Sequence, residues 1–118
     1  MRNEFGEYVR QARERLRKRD AGFSVRKLAE RVGLEPSYLS KIERGLQAPP
    51  SAEKIALLAE KLGDDPDVLL ALAGKVSDDL LEVIRKRPAL FGRIIRELRD
   101  LPDHAVLRVV REVRDGEW

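Results

Sequence analysis

Apolar residues recur along the 118-residue chain with helical spacing, and nowhere with the strict alternation of a half-buried strand. Phe5, Val9, Ala12 and Leu16 step by four, three and four, the stripe of one amphipathic helix. Asn3 is its expected N-cap. Glu4 and Glu7 lie early and Arg17, Lys18 and Arg19 late, as the helix dipole prefers, so the helix is expected to run to about Arg19. Val25, Leu28, Ala29 and Val32 mark a second helix, capped by Ser24 and stopped at Gly33. A third starts near Glu35 and Pro36, with proline at a tolerated first-turn position, buries Leu39 and Ile42, and ends at Gly45. Ser51 caps a fourth, with Ile55, Leu58, Ala59 and Leu62 inward, and Asp65 and Pro66 open a short fifth that closes by Gly74.

Beyond Gly74 the pattern predicts three more helices, over about 78–87 with Ser77 as cap, 88–99 and 103–114. Glycines and prolines punctuate every junction. The expected fold is all-α: five helices over 1–74, followed by a C-terminal helical extension of about three helices over 75–118. No internal repeat and no low-complexity stretch interrupts it.

Residues 25–44, VRKLAERVGLEPSYLSKIER, carry the most information. Two short helices separated by three or four residues must cross steeply, and only a small side chain such as Ala29 fits at the crossing. The turn needs a residue that tolerates a positive φ, supplied by Gly33. Counting Val25 as one, the apolar or small positions are 4, 5, 8, 9, 10, 15 and 18, the spacing of a DNA-binding helix-turn-helix.

On these residues the chain resembles the Cro and phage-repressor type of helix-turn-helix, also called the xenobiotic-response-element family. The likeness rests on Ser24 to Ala29 opening the second helix, on Val32, Gly33 and Leu34 at the turn, and on the run from Tyr38 to Gly45, and it covers about 4–72. It implies that 1–74 form a compact five-helix, repressor-like DNA-binding domain that binds duplex DNA as a dimer, with the third helix, about 36–44, in the major groove. Two features depart from the family pattern. Val25 stands where a glutamine is usual, so Arg26 is expected to take over a phosphate. The stretch from Arg13 to Ser24 is about a turn longer than usual, which is read as a longer first helix carrying Arg15, Arg17, Lys18 and Arg19 on a basic flank.

The resemblance assigns base-edge contacts to the exposed side of the third helix: Pro36, Ser37, Tyr38, Ser40 and Lys41. Lys41 can donate to guanine O6 or N7, a serine can bond several base edges, and Tyr38 can meet a thymine methyl or a phosphate. Arg44 and Gln47, at the helix exit, hold phosphates and fix register without reading sequence. The N–H groups of Ser24, Val25 and Arg26 offer a helix N-terminus to another phosphate. Glu43 would repel DNA if it faced it; the family pairs it instead with a basic residue of the first helix. Arg13 fits counting from the N-terminus and Lys18 counting back from Ser24, with Arg13 preferred.

Charge agrees with this reading. Residues 1–50 hold 12 Lys/Arg against 7 Asp/Glu, a balance of +5, whereas 51–74 carry −3 and 75–118 only +1. Composition removes most chemistry. There is no cysteine, hence no disulfide, thiolate metal site or thiol nucleophile, and the single histidine, His104, reads as a surface residue. With no phosphate loop either, no enzyme, cofactor or metal is expected. No apolar run reaches the roughly 18 residues of a membrane span, and the N-terminus lacks the apolar core of a signal peptide, so a cytoplasmic protein is expected.

The last third carries more apolar surface than about 44 residues can bury alone. Leu80, Ile84, Phe91, Ile94, Leu98, Leu107 and Val110 are the expected homodimer face, since a repressor reading a palindrome needs a dimer. The rival expectation gives this region to a partner protein, either a toxin or a metallopeptidase that cuts it. Trp118 is expected to lie on a neighbour.

Overall fold

The computed structural model describes residues 4–118, so the cap expected at Asn3 lies outside the described residues. Among these residues every regular element is helical: α1 Glu4–Arg17, α2 Val25–Val32, α3 Pro36–Glu43, α4 Ala52–Leu62, α5 Pro66–Leu72, α6 Asp78–Lys86, α7 Pro88–Leu98 and α8 Asp103–Asp115, with a 3-10 turn at Ala21–Phe23. The chain forms two compact units that divide between Asp78 and Asp79. This lies four residues past Gly74, the end of the expected domain. Gly74 takes φ 72, and the chain then turns back, with Lys75 N–H donating to Leu70 O and Lys75 Nζ to Pro50 O.

The first unit closes around one core: Phe5, Val9 and Ala12 of α1, Leu28, Ala29 and Val32 of α2, Leu39 and Ile42 of α3, Ile55, Leu58, Ala59 and Leu62 of α4, and Leu69 and Leu70 of α5. Each buried aliphatic side chain of this size contributes about 1.5–3 kcal/mol relative to exposure. The caps follow from side-chain chemistry. Ser24 Oγ accepts from Lys27 N–H, Ser51 Oγ from Lys54 N–H, and Asp65 Oδ1 from Asp67 N–H. Pro36 and Pro66 each occupy the first turn of their helices, where the missing N–H costs nothing.

Two expectations need correction. The first helix does not extend to Arg19. Leu16 O accepts from both Arg19 N–H and Asp20 N–H, closing α1 at Arg17, and Asp20 Oδ1 then accepts from Gly22 N–H to cap the 3-10 turn. The extra residues form a capped basic turn because Asp20 supplies a local acceptor that competes with helix continuation. The cap expected at Ser77 is also absent: its Oγ is buried with no hydrogen-bond partner.

The second unit has the opposite economy of burial. None of α6, α7 and α8 contains a buried residue, although each is apolar along one side. No helix among the described residues is long and apolar enough to cross a membrane.

Candidate nucleic-acid interface

The turn between α2 and α3 sets the site. Gly33 adopts φ 71 and ψ 35, and the N–H of Leu34 returns to Ala29 O at 2.9 Å. That left-handed residue ends α2 and redirects the chain into α3 within three residues. Ala29 is fully buried at the crossing, where a longer side chain would hold the helices apart. A second reason for glycine was not legible in the sequence. A Cβ at position 33 would come within 2.7 Å of Lys54 Nζ, which donates to Val32 O at 2.9 Å. Lys54 thus places a cation at the C-terminus of α2, as the helix dipole favours, and ties α4 to the turn.

α3 is held by its inner face and open on its outer one. Leu39, Ile42 and Glu43 are buried, whereas Ser37, Lys41 and Arg44, spaced four and three apart, are exposed in one row. Arg44 Nε reaches back to Ser40 O at 3.3 Å, and Gln47 is exposed in the following loop. Pro36, Tyr38 and Ser40 are only half-exposed, and the Tyr38 ring packs against the core. The fully open part of the expected reading face is therefore Ser37 and Lys41, narrower than the sequence suggested.

Glu43 is 3% exposed and lies against Arg13, which is equally buried. Arg13 Nε donates to Glu43 Oε2 at 2.7 Å and its terminal nitrogen to Glu43 Oε1 at 2.8 Å, a two-pronged ion pair. The hydrogen bonds that Arg13 donates to Glu43 raise the Arg13 pKa above its usual value, against the opposing effect of burial. The same guanidinium donates to Phe23 O at 3.2 Å and Glu14 Oε1 at 3.1 Å. Of the two candidate partners for Glu43, Lys18 is exposed and sits in the turn beyond α1. One arginine therefore joins α1, the 3-10 turn and the end of α3.

At the start of α2 fewer free N–H donors are available than the resemblance implies. Ser24 N–H donates to Ala21 O at 3.3 Å, so this donor is already engaged. Val25 packs its side chain against the core, leaving its N–H and that of Arg26 in the first turn, where helices have no internal partner for them. Arg26 is 82% exposed, 3.5 Å from Glu30. Beside this turn, Arg31 lies over the Phe23 ring at 5.1 Å from its centroid, a contact that periodicity alone does not disclose.

The expected dimer residues of the second unit divide in two. Leu80, Ile94, Leu107 and Val110 are more than one third exposed, and Ile84, Phe91 and Leu98 are intermediate. Val83, Leu90, Ile95, Leu101, Val109 and Val113 are as open as the first four. Trp118 is 94% exposed, with Nε1 donating to Val113 O at 3.1 Å, so it folds back on its own helix end.

Residues 4–72 match a helix-turn-helix domain family. The chain is also 41% identical over 69 residues to uncharacterized HTH-type transcriptional regulators of Mycobacterium tuberculosis, from strain CDC 1551 / Oshkosh and from strain ATCC 25618 / H37Rv. The match covers 58% of this chain and 45% of each relative, so the chain aligns with less than half the length of those regulators. No solved structure matches the chain. The domain match and the buried-inside, basic-outside build of α3 lead to one assignment: the chain belongs to the helix-turn-helix domain family.

Proposed function

We propose that the protein is a homodimeric repressor of the Cro-like type, which places α3 in the major groove of a palindromic operator. The observation that carries this reading is the division of α3 into two faces. Ser37, Lys41 and Arg44 form an open row, while Glu43, the one carboxylate of the helix, is turned inward and neutralised by Arg13. Lys41 then reads a base edge, and Ser37 hydrogen-bonds beside it. Arg44 and Gln47 grip phosphates at the exit of α3, and Arg26 with the first N–H groups of α2 grips another. Repression follows by occlusion and needs no catalytic group.

The second unit supplies the dimer contact in this reading. Eleven of its large apolar side chains, from Leu80 to Trp118, are more than a third exposed in the single chain. Patches of this extent mark interaction surfaces rather than ordinary solvated ones. A second copy is the occupant that a two-fold operator requires, and a partner protein, either a toxin or a metallopeptidase, is the rival occupant.

Selection of binding sites from a pool of random duplexes, using the full chain, tests the proposal. The expected product is an inverted repeat whose half-sites lie about 10–10.5 base pairs apart, or a multiple of that. Enrichment of a single asymmetric site contradicts the homodimer. No enrichment over the input pool contradicts sequence-specific reading altogether.

A further inference from the structure

The turn that follows α1 has a use that the helix-turn-helix itself does not require. Residues 15–27 hold six cations, Arg15, Arg17, Lys18, Arg19, Arg26 and Lys27, against one anion, Asp20. This balance of +5 exceeds the +3 of the whole chain. Such a run is ordinarily a solvated surface, but here the backbone beneath it is fixed. Leu16 and Phe23 pack against the core on either side of the run Arg17 to Arg19. Asp20 caps the 3-10 turn, and Arg13 holds Phe23 O with the same guanidinium that holds Glu43 at the end of α3. Arg17 follows Arg13 by one helical turn, about 6 Å along the axis. Through Arg13 the backbone at the end of this basic turn, Phe23 just before the start of α2, is tied to Glu43 at the end of α3; α2 and α3 are the two elements where the proposed interface grips phosphates. Asp20, its one carboxylate, is engaged with Gly22 N–H. Lys18 and Arg19 are exposed and form no ion pair among the described residues.

We infer that Lys18 and Arg19, with Arg17 beside them, form a second phosphate clamp that holds the duplex backbone flanking the bases read by α3. The ligand is the phosphodiester backbone itself, so the clamp adds affinity without sequence preference. This inference rests on the DNA-binding reading above, and the experiment separates the two.

The probe is a fluorescein-labelled 40-base-pair duplex of mixed sequence, titrated with the full chain across a range of salt concentrations. Each phosphate contact contributes about 0.9 to the slope of log affinity against log salt. The double variant Lys18→Gln/Arg19→Gln is expected to lower that slope by about two for each protomer bound and to weaken binding by about tenfold or more at low salt. Its melting temperature is expected to stay at the wild-type value, because both side chains project from a backbone that does not depend on them. Lys86→Gln/Arg87→Gln, which removes the same charge from the second unit, is expected to leave the slope almost unchanged. An unchanged slope in the Lys18/Arg19 variant, with wild-type protein binding the duplex, overturns the clamp and leaves the α3 reading intact. An equal loss in both double variants overturns it as well, because net charge alone would then account for the effect. Failure of the wild-type chain to bind any duplex overturns both readings together.

Discussion

Arg13 and Glu43, thirty residues apart, meet through two hydrogen bonds of 2.7 and 2.8 Å with both side chains almost wholly buried. The pair sits directly beneath the exposed end of α3, and Arg13 extends it to the carbonyl of Phe23. It turns a carboxylate that would repel DNA into a structural post for the reading helix.

Glu43→Ala is expected to destabilise the protein by roughly 3–5 kcal/mol, because it removes the buried, two-pronged counter-charge of Arg13 and leaves only the half-exposed Glu14 carboxylate beside the guanidinium. Glu43→Gln keeps the shape and one acceptor and is expected to cost less than the alanine. Thermal or denaturant melts of the three proteins check the order. A Glu43→Ala protein that melts with the wild type would show the pair contributing nothing to the fold.

Lys41 and Arg44 are expected to fail differently. Lys41→Ala should cost about 1–3 kcal/mol on the selected operator and little on mixed-sequence DNA. Arg44→Ala should weaken binding to every duplex and flatten the salt dependence by about one unit of slope for each protomer bound. Titrations of both variants on both kinds of DNA separate the two roles.

Gly33→Ala places a side chain at φ 71 and drives its Cβ into the tip of Lys54. The backbone strain alone is expected to cost about 1–2 kcal/mol. The steric part should disappear in a Lys54→Ala background, so the cost of Gly33→Ala should be smaller there. Equal costs in the two backgrounds would show that Lys54 moves aside freely.

A fragment ending at Asp78 holds the fourteen hydrophobic residues that are buried among the described residues and is expected to fold with its helices intact. It should sediment as a monomer at concentrations where the full chain is a dimer. Its grip on an inverted repeat should fall to that of a half-site, since linkage of the two sites is lost. A fragment that still dimerises would move the dimer contact into the first unit and free α6, α7 and α8 for another partner.

How much the sequence disclosed depended on whether a feature is local. The stripe Phe5, Val9, Ala12, the cap at Ser24 and the glycine turn are written in nearby residues, and the helices formed where the spacing placed them. The all-helical class followed from the same periodicity. Long-range pairings were less accessible. Glu43 could be assigned an arginine only through a family likeness, and neither Lys54 on Val32 O nor Arg31 over Phe23 leaves a periodic trace. The length of α1 was misread because basic residues late in a helix satisfy its dipole equally well as a continuation or as a turn; the acceptor at Asp20 decided between them. The resemblance sets Tyr38 on the open face, yet its ring is large enough to reach the core from the edge of that face.

The proposed function stands on α3 reading bases through Lys41. The most direct measurement is to repeat the random-duplex selection with Lys41→Ala and compare the two preference profiles position by position. Preference is expected to collapse at one base pair in each half-site while the other positions and the half-site spacing persist. A Lys41→Ala profile that matches the wild type at every position would contradict it.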